Sequence, residues 1–166
     1  MTAILANDGY KVKPTVIVPE NRSPSVCLGE NLNLSKAHLQ LMREGMFDVV
    51  NASEGPGKPA RVNVGGKLIA GKTGTTQVKR ISMKEREQGM RGQDDIPWEE
   101  RNHALFVSFG PTDNPRYALA VVIEHGGGGA KTAAPIAKSI MEAVLKLDPS
   151  SQPPKNPKKN ISAGSV

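Results

Sequence analysis

The stretch GKLIAGKTGTTQV, Gly66 to Val78, admits two folds and excludes most others. From Gly66 to Thr73 it satisfies G-x-x-x-x-G-K-[ST], the loop that wraps a nucleotide phosphate between a buried strand and a helix. The same residues can instead run straight, because Leu68, Ile69 and the threonines are strand formers. The phosphate loop fails on its own mechanics. Its middle must turn freely, and here the middle is Lys-Leu-Ile-Ala. A helix must open at the Gly-Lys-Thr so that its first N–H groups face the anion. After Lys72 the chain runs Thr-Gly-Thr-Thr-Gln-Val, which is poor helix material. The strand is the expected fold, with a P-loop-type nucleotide-binding module as the alternative. In a strand Lys72 faces away from Thr73 and Thr75. Gly71 and Gly74 mark places where another backbone or a substrate comes close. The strand's rim offers N–H and C=O groups to an extended peptide.

The remaining segments read as helices and strands around this one. Thr2 to Ala6 are helix formers stopped by the turn Asn7-Asp8-Gly9. Tyr10 to Val18 alternates and reads as extended, with Pro14 confining it to an edge. A helix is expected from about Ser35 to Asn51, capped by Ser35. Leu39, Met42, Met46, Val49 and Val50 repeat at helical spacing and form its core face. HALFVSFG (His103 to Gly110) and RYALAVVIEH (Arg116 to His125) read as a hairpin closed by PTDNP. Lys79 to Asn102 is dense in alternating charge, a solvated excursion with one helical turn around SMKEREQG. After the four glycines at 126–129, read as a flexible link, a helix begins near Thr132 with Pro135 in its first turn. Ile136, Ile140, Val144 and Leu147 make its apolar stripe. The class is α/β (α+β). One domain is expected over residues 1–148, followed by a disordered Pro/Lys-rich tail at 149–166.

Composition narrows the function. The net charge is +6, but the positives are interspersed with acids and aromatics are only 4%, so nucleic acid is not an expected partner. Cys27 stands alone and cannot form an internal disulfide. His38, His103 and His125 lie on separate elements without ligand spacing, so no metal site is expected. No stretch has the length of a membrane span, and MTAILANDGY lacks the parts of a signal peptide.

Lys72 to Thr75 spell K-T-G-T, a motif of serine acyl-transferase sites. GKLIAGKTGTTQV, a charged excursion, HALFVSFGPTDNPRYALAVVIEHGGGG and AAPIAKSIMEAVL succeed one another in one order with short links. In that combination the chain resembles the C-terminal part of the transpeptidase domain of class B penicillin-binding proteins. Within the class it is most similar to the elongation-specific penicillin-binding protein 2 type of Gram-negative bacteria. The resemblance runs from residue 1 to about 147. It implies part of the fold shared with serine β-lactamases, an antiparallel sheet flanked by helices. It implies acyl transfer, in which a serine attacks the D-Ala–D-Ala bond of a peptidoglycan stem and β-lactams imitate that dipeptide.

By the same resemblance, Lys72 polarises the site and attracts the substrate's terminal carboxylate. Thr73 and Thr75 bind that carboxylate through their hydroxyls, the Thr75 N–H is an oxyanion donor, and Gly74 keeps the strand uncrowded. The implied partners are stem peptides, β-lactams, the N-terminal part of the same protein and the cell-elongation machinery. The implied place is the periplasmic face of the bacterial inner membrane, and no cofactor is implied. The family also carries S-x-x-K and S-x-N. Here no serine precedes a lysine by three residues or an asparagine by two. TQVK, Thr76 to Lys79, has the first spacing with a threonine, just past K-T-G where it cannot face that motif. The chain therefore reads as a transpeptidase fragment with one wall of a site, no nucleophile and no activity of its own. A non-catalytic peptide- or penicillin-recognition domain is the other alternative.

Overall fold

A computed structural model describes residues 1–14, 16, 28–89 and 92–148. The expectations for residues 15, 17 and 18, for Cys27 and for the tail at 149–166 lie outside them. Helix α1 (Thr2–Ala6) ends where Asp8 and Gly9 take left-handed backbone, φ 50° and 83°, as the turn signal requires. Strand β1 (Tyr10–Val12) pairs antiparallel with β2 (Leu28–Asn31). Helix α2 (Lys36–Asn51) starts after Ser35, whose side chain makes no capping bond, contrary to expectation. Its buried side is Leu39, Met46 and Val50. Met42, expected in the core, is 53% exposed. At 3.6 residues per turn it sits about 60° off the line of Leu39.

Strand β3 (Ala70–Thr76) begins three residues later than the strand formers suggest. Gly65 and Gly66 both have positive φ and turn Lys67 back onto Val64. The excursion after β3 carries one helical turn, α3 (Met83–Glu87), closed by a capping box between Ser82 and Glu85. Strands β4 (His103–Gly110) and β5 (Tyr117–Ile123) complete an antiparallel sheet in the order β3-β4-β5. The register is unbroken and sets Thr73, Phe106 and Val121 side by side.

Alternation then assigns the faces. Ala104, Phe106 and Val121 pack into the core with residues of helix α4 (Ala134–Leu147). Ala70 and Phe109, on the opposite face, pack with Met46 and Phe47 of α2 and Leu5 of α1. Helices thus cover both faces. The buried side of α4 is Ala134, Ala137, Met141 and Leu145, which corrects the expected stripe. Ile136, Ile140 and Leu147 are 40%, 39% and 75% exposed. The alanines face the sheet because their small side chains let the helix backbone approach it closely.

The glycines at 126–129 are not a flexible link. Gly127 and Gly129 are buried, and Gly127 N–H donates to the Asn102 carbonyl at 2.8 Å. A π-helical turn, Gly129–Ala133, leads directly into α4, whose first turn holds Pro135 as expected. Behind α4, the buried Asp148 accepts a hydrogen bond from Arg116 at 2.5 Å, with Lys67 Nζ at 3.7 Å. A carboxylate at the negative end of a helix dipole needs such cations. Breaking a fully buried pair costs about 3–5 kcal/mol. Arg116 is 39% exposed and Lys67 would remain, so Arg116→Met is expected to lower stability by only about 1–2 kcal/mol, read as a urea midpoint.

Candidate active site

The K-T-G residues lie in the middle of β3, an edge strand among the described residues. Lys72 pairs in register with Val107, in an antiparallel ladder that continues to Thr76. No helix opens at Lys72, so the phosphate-loop alternative is set aside. Lys72 and Gly74 alternate with Thr73 and Thr75, as a regular strand dictates.

The glycines are there for close approach, and the structure shows what approaches. A Cβ on Gly71 would lie 2.6 Å from Phe106 Cζ and 2.8 Å from the Val107 carbonyl oxygen. A Cβ on Gly74 would be 3.2 Å from that of Leu105. From the other side Gly129 is seated against the backbone of Gly74 and Leu105. The strand is therefore held rigidly by its neighbours while its outer rim stays open.

On that rim Lys72 and Thr75 are exposed and Thr73 is half-buried. The Lys72 ammonium donates to the Thr73 carbonyl at 3.0 Å, and no carboxylate pairs with it among the described residues. A cation held only by a neighbouring carbonyl is available to an anionic ligand. Beyond Thr76 the rim continues into a hollow of about 650 Å³ lined by Gln77, Lys79, Arg80, Ser82 and Arg86 among others. Lys79 is paired there with Glu100 at 2.8 Å.

Among the described residues the site holds no nucleophile of its own. Ser108, opposite Gly71, is the serine nearest K-T-G in register, and it is fully buried. Ser82 is committed to the α3 cap. The arrangement presents an ammonium, two hydroxyls and the backbone groups of an edge strand, a set whose chemistry suits an extended anionic ligand. One grouping escaped the sequence reading. His103 and His125, assigned to separate elements, meet at a ring distance of 4.8 Å.

Known proteins fit this picture. Residues 1–142 match the family model described as the penicillin binding protein transpeptidase domain. The peptidoglycan D,D-transpeptidase MrdA of Acinetobacter baumannii is 36% identical over 145 residues, 81% of this chain. A penicillin-binding protein 2 of Helicobacter pylori, solved in complex with MreC, superposes with TM-score 0.66 over 89% of the chain at 27% identity. Penicillin-binding protein A of M. tuberculosis, solved as an imipenem acyl-enzyme, gives 0.57 over 87% at 25% identity. The chain spans 20% of the A. baumannii protein's length, and 24% and 29% of the two solved chains.

Proposed function

This chain belongs to the penicillin-binding protein transpeptidase family, as a class B member of the penicillin-binding protein 2 type, and on that premise we propose that it supplies the K-T-G wall of a peptidoglycan D,D-transpeptidase site. The observation that carries the reading is the open rim of β3, with an available ammonium and two threonine hydroxyls on a rigidly backed strand. A stem peptide lies along that rim, backbone to backbone. Lys72, whose long side chain reaches over the rim to the Thr73 carbonyl, draws in the peptide's terminal carboxylate, and the Thr73 and Thr75 hydroxyls donate to it. Gly74 leaves room for the substrate backbone, and the Thr75 N–H stabilises the oxyanion.

The serine and its base come from the S-x-x-K and S-x-N segments of the complete domain. The serine oxygen bonds to the carbonyl carbon of D-Ala–D-Ala, the peptide C–N bond breaks, and the terminal D-Ala leaves with a proton. An amine of a neighbouring stem then takes the acyl group and frees the serine. A β-lactam opens its ring on the same serine and stays, and the acyl-enzyme of the M. tuberculosis relative supports this. The chemistry calls for no cofactor. The MreC complex of the H. pylori relative supports the cell-elongation machinery as a partner. The place of action is the periplasmic face of the inner membrane. No helix among the described residues is long and apolar enough to cross that membrane. Residues 1–148 form the C-terminal portion of the domain, with 149–166 a tail beyond it.

Labelling with a fluorescent penicillin tests this. The chain alone is expected to give no covalently labelled band at 17.7 kDa. Substituted for the matching segment of the A. baumannii relative, it is expected to restore a labelled full-length protein. Covalent labelling of the chain alone would place a nucleophile where none is proposed. A folded chimera that binds penicillin only reversibly would favour the non-catalytic recognition domain instead.

A further inference from the structure

His103 opens β4 opposite Thr76, the last residue of the K-T-G strand. Its Nδ1 accepts a hydrogen bond from the His125 backbone N–H at 2.9 Å. An atom that accepts there carries no proton, so the neutral His103 ring holds its hydrogen on Nε2. His125 Nδ1 lies 3.2 Å from the Arg101 carbonyl oxygen, which can only accept, so this nitrogen donates. The Trp98 ring lies tilted against His125 at 4.5 Å, and the two imidazoles meet edge to face at 4.8 Å. His125 has φ 54°, a left-handed conformation uncommon outside glycine, which aims its ring into this cluster. Both Nδ1 atoms are thus engaged in holding the two rings in place.

Asn102, the residue before His103, ties three neighbouring segments together. Asn102 N–H donates to Gln93 Oε1 at 2.7 Å, and its carbonyl accepts from Gly127 N–H at 2.8 Å. Its side-chain oxygen accepts from Val78 N–H at 3.4 Å, just beyond β3. We propose that His103, His125 and Trp98 form an acid-released clasp that holds the segment around Trp98–Asn102, and through it the exit of the K-T-G strand, in place at neutral pH. Imidazoles gain charge between about pH 8 and pH 5. A proton on His103 Nδ1 replaces the acceptor by a donor that faces the His125 N–H, and that bond is lost. Two charged rings at this separation also repel.

The other ionisable groups on the surrounding elements are Asp95, Glu99, Arg101, Glu124 and two ion pairs, Lys131–Asp94 and Lys79–Glu100, each at 2.8 Å. The Lys131 ammonium, by its hydrogen bond and then its charge, holds the Asp94 carboxyl below the usual carboxylate range. That group stays ionised through the window and does not supply the transition. The clasp stands independently of the proposed acyl transfer, since it rests on geometry alone.

Trp98 is the chain's only tryptophan, so its fluorescence reports the clasp without labelling. On lowering the pH of the 166-residue chain from 8 to 5, its emission is expected to change. Over the same range the exchange protection factors of the His125 and Gly127 amides are expected to fall about tenfold, the worth of one hydrogen bond. Amides of the β4–β5 ladder hold. His103→Asn sets an amide oxygen where Nδ1 sits, so it keeps the acceptor and cannot take the proton. This variant is expected to match the parent at pH 8 and to keep both amides protected at pH 5. Protection retained by the parent at pH 5 would overturn the clasp. So would the same loss in His103→Asn, or ladder amides unprotected at pH 8.

Discussion

Lys72→Ala, in a protein completed by the rest of the transpeptidase domain, is expected to slow acylation by a fluorescent penicillin by about 10²–10³-fold, the range for losing one preorganised electrostatic group. The ammonium is exposed and touches only the Thr73 carbonyl, so its removal leaves no buried partner stranded. Stability is expected to stay within about 0.5 kcal/mol, as for surface changes generally. The two readouts therefore separate: a rate loss without a shift in the unfolding midpoint belongs to the chemistry. Lys72→Arg keeps the charge but replaces a compact ammonium by a broad fork, and is expected to recover only part of the rate. Thr75→Val keeps the branched shape and the backbone N–H and removes only the hydroxyl, so its loss should be smaller than that of Lys72→Ala. An unchanged acylation rate in Lys72→Ala would remove this residue from the site.

How far the chain could be read without its structure depends on where each signal is stored. His103 to Gly110 was legible because its ends are set by local residues: alternation within, and a proline-rich turn after it. The start of β3 was not, because two glycines with positive φ decide it and strand propensity at Leu68 and Ile69 does not. The face of α4 was misjudged for a tertiary reason. Bulky isoleucines give the stronger apolar signal, yet the sheet selects the alanines beside them, which admit closer packing. Strand β2 has the sequence LGEN, with neither alternation nor branching, and exists by pairing with β1. K-T-G was visible as a motif. Its openness was not, since an edge position belongs to the sheet and not to the strand. The histidine pair lies 22 residues apart, yet a signal for it was present. In an antiparallel hairpin the paired numbers have a constant sum, and Ala104 opposite Ile123 brings position 103 beside 124 and 125.

Gly129→Ala should be among the most damaging single-methyl changes at the described residues, lowering stability by about 3 kcal/mol, the upper end of the usual overpacking range. A Cβ at this position would strike the carbonyl oxygens of both Gly74 and Leu105 and lie 3.0 Å from the Gly74 nitrogen. These are backbone atoms in the paired ladder of β3 and β4, which cannot swing aside as a side chain can. Gly128→Ala is the control. A Cβ there has nothing within 4 Å, and its φ of −114° suits any residue. Both changes restrict the unfolded chain alike, so the difference between their urea midpoints isolates the contact. The turn could yield by lifting away or the strand by moving outward. The first strips Gly74 of its backing and the second displaces it, and both loosen the neighbouring Thr75 N–H proposed for the oxyanion. In the completed protein Gly129→Ala is therefore expected to lose acylation as well as stability, and Gly128→Ala to keep both. Equal midpoints for the two variants would show that the turn is not seated on the K-T-G strand, and the rigid backing of the site would have to come from elsewhere.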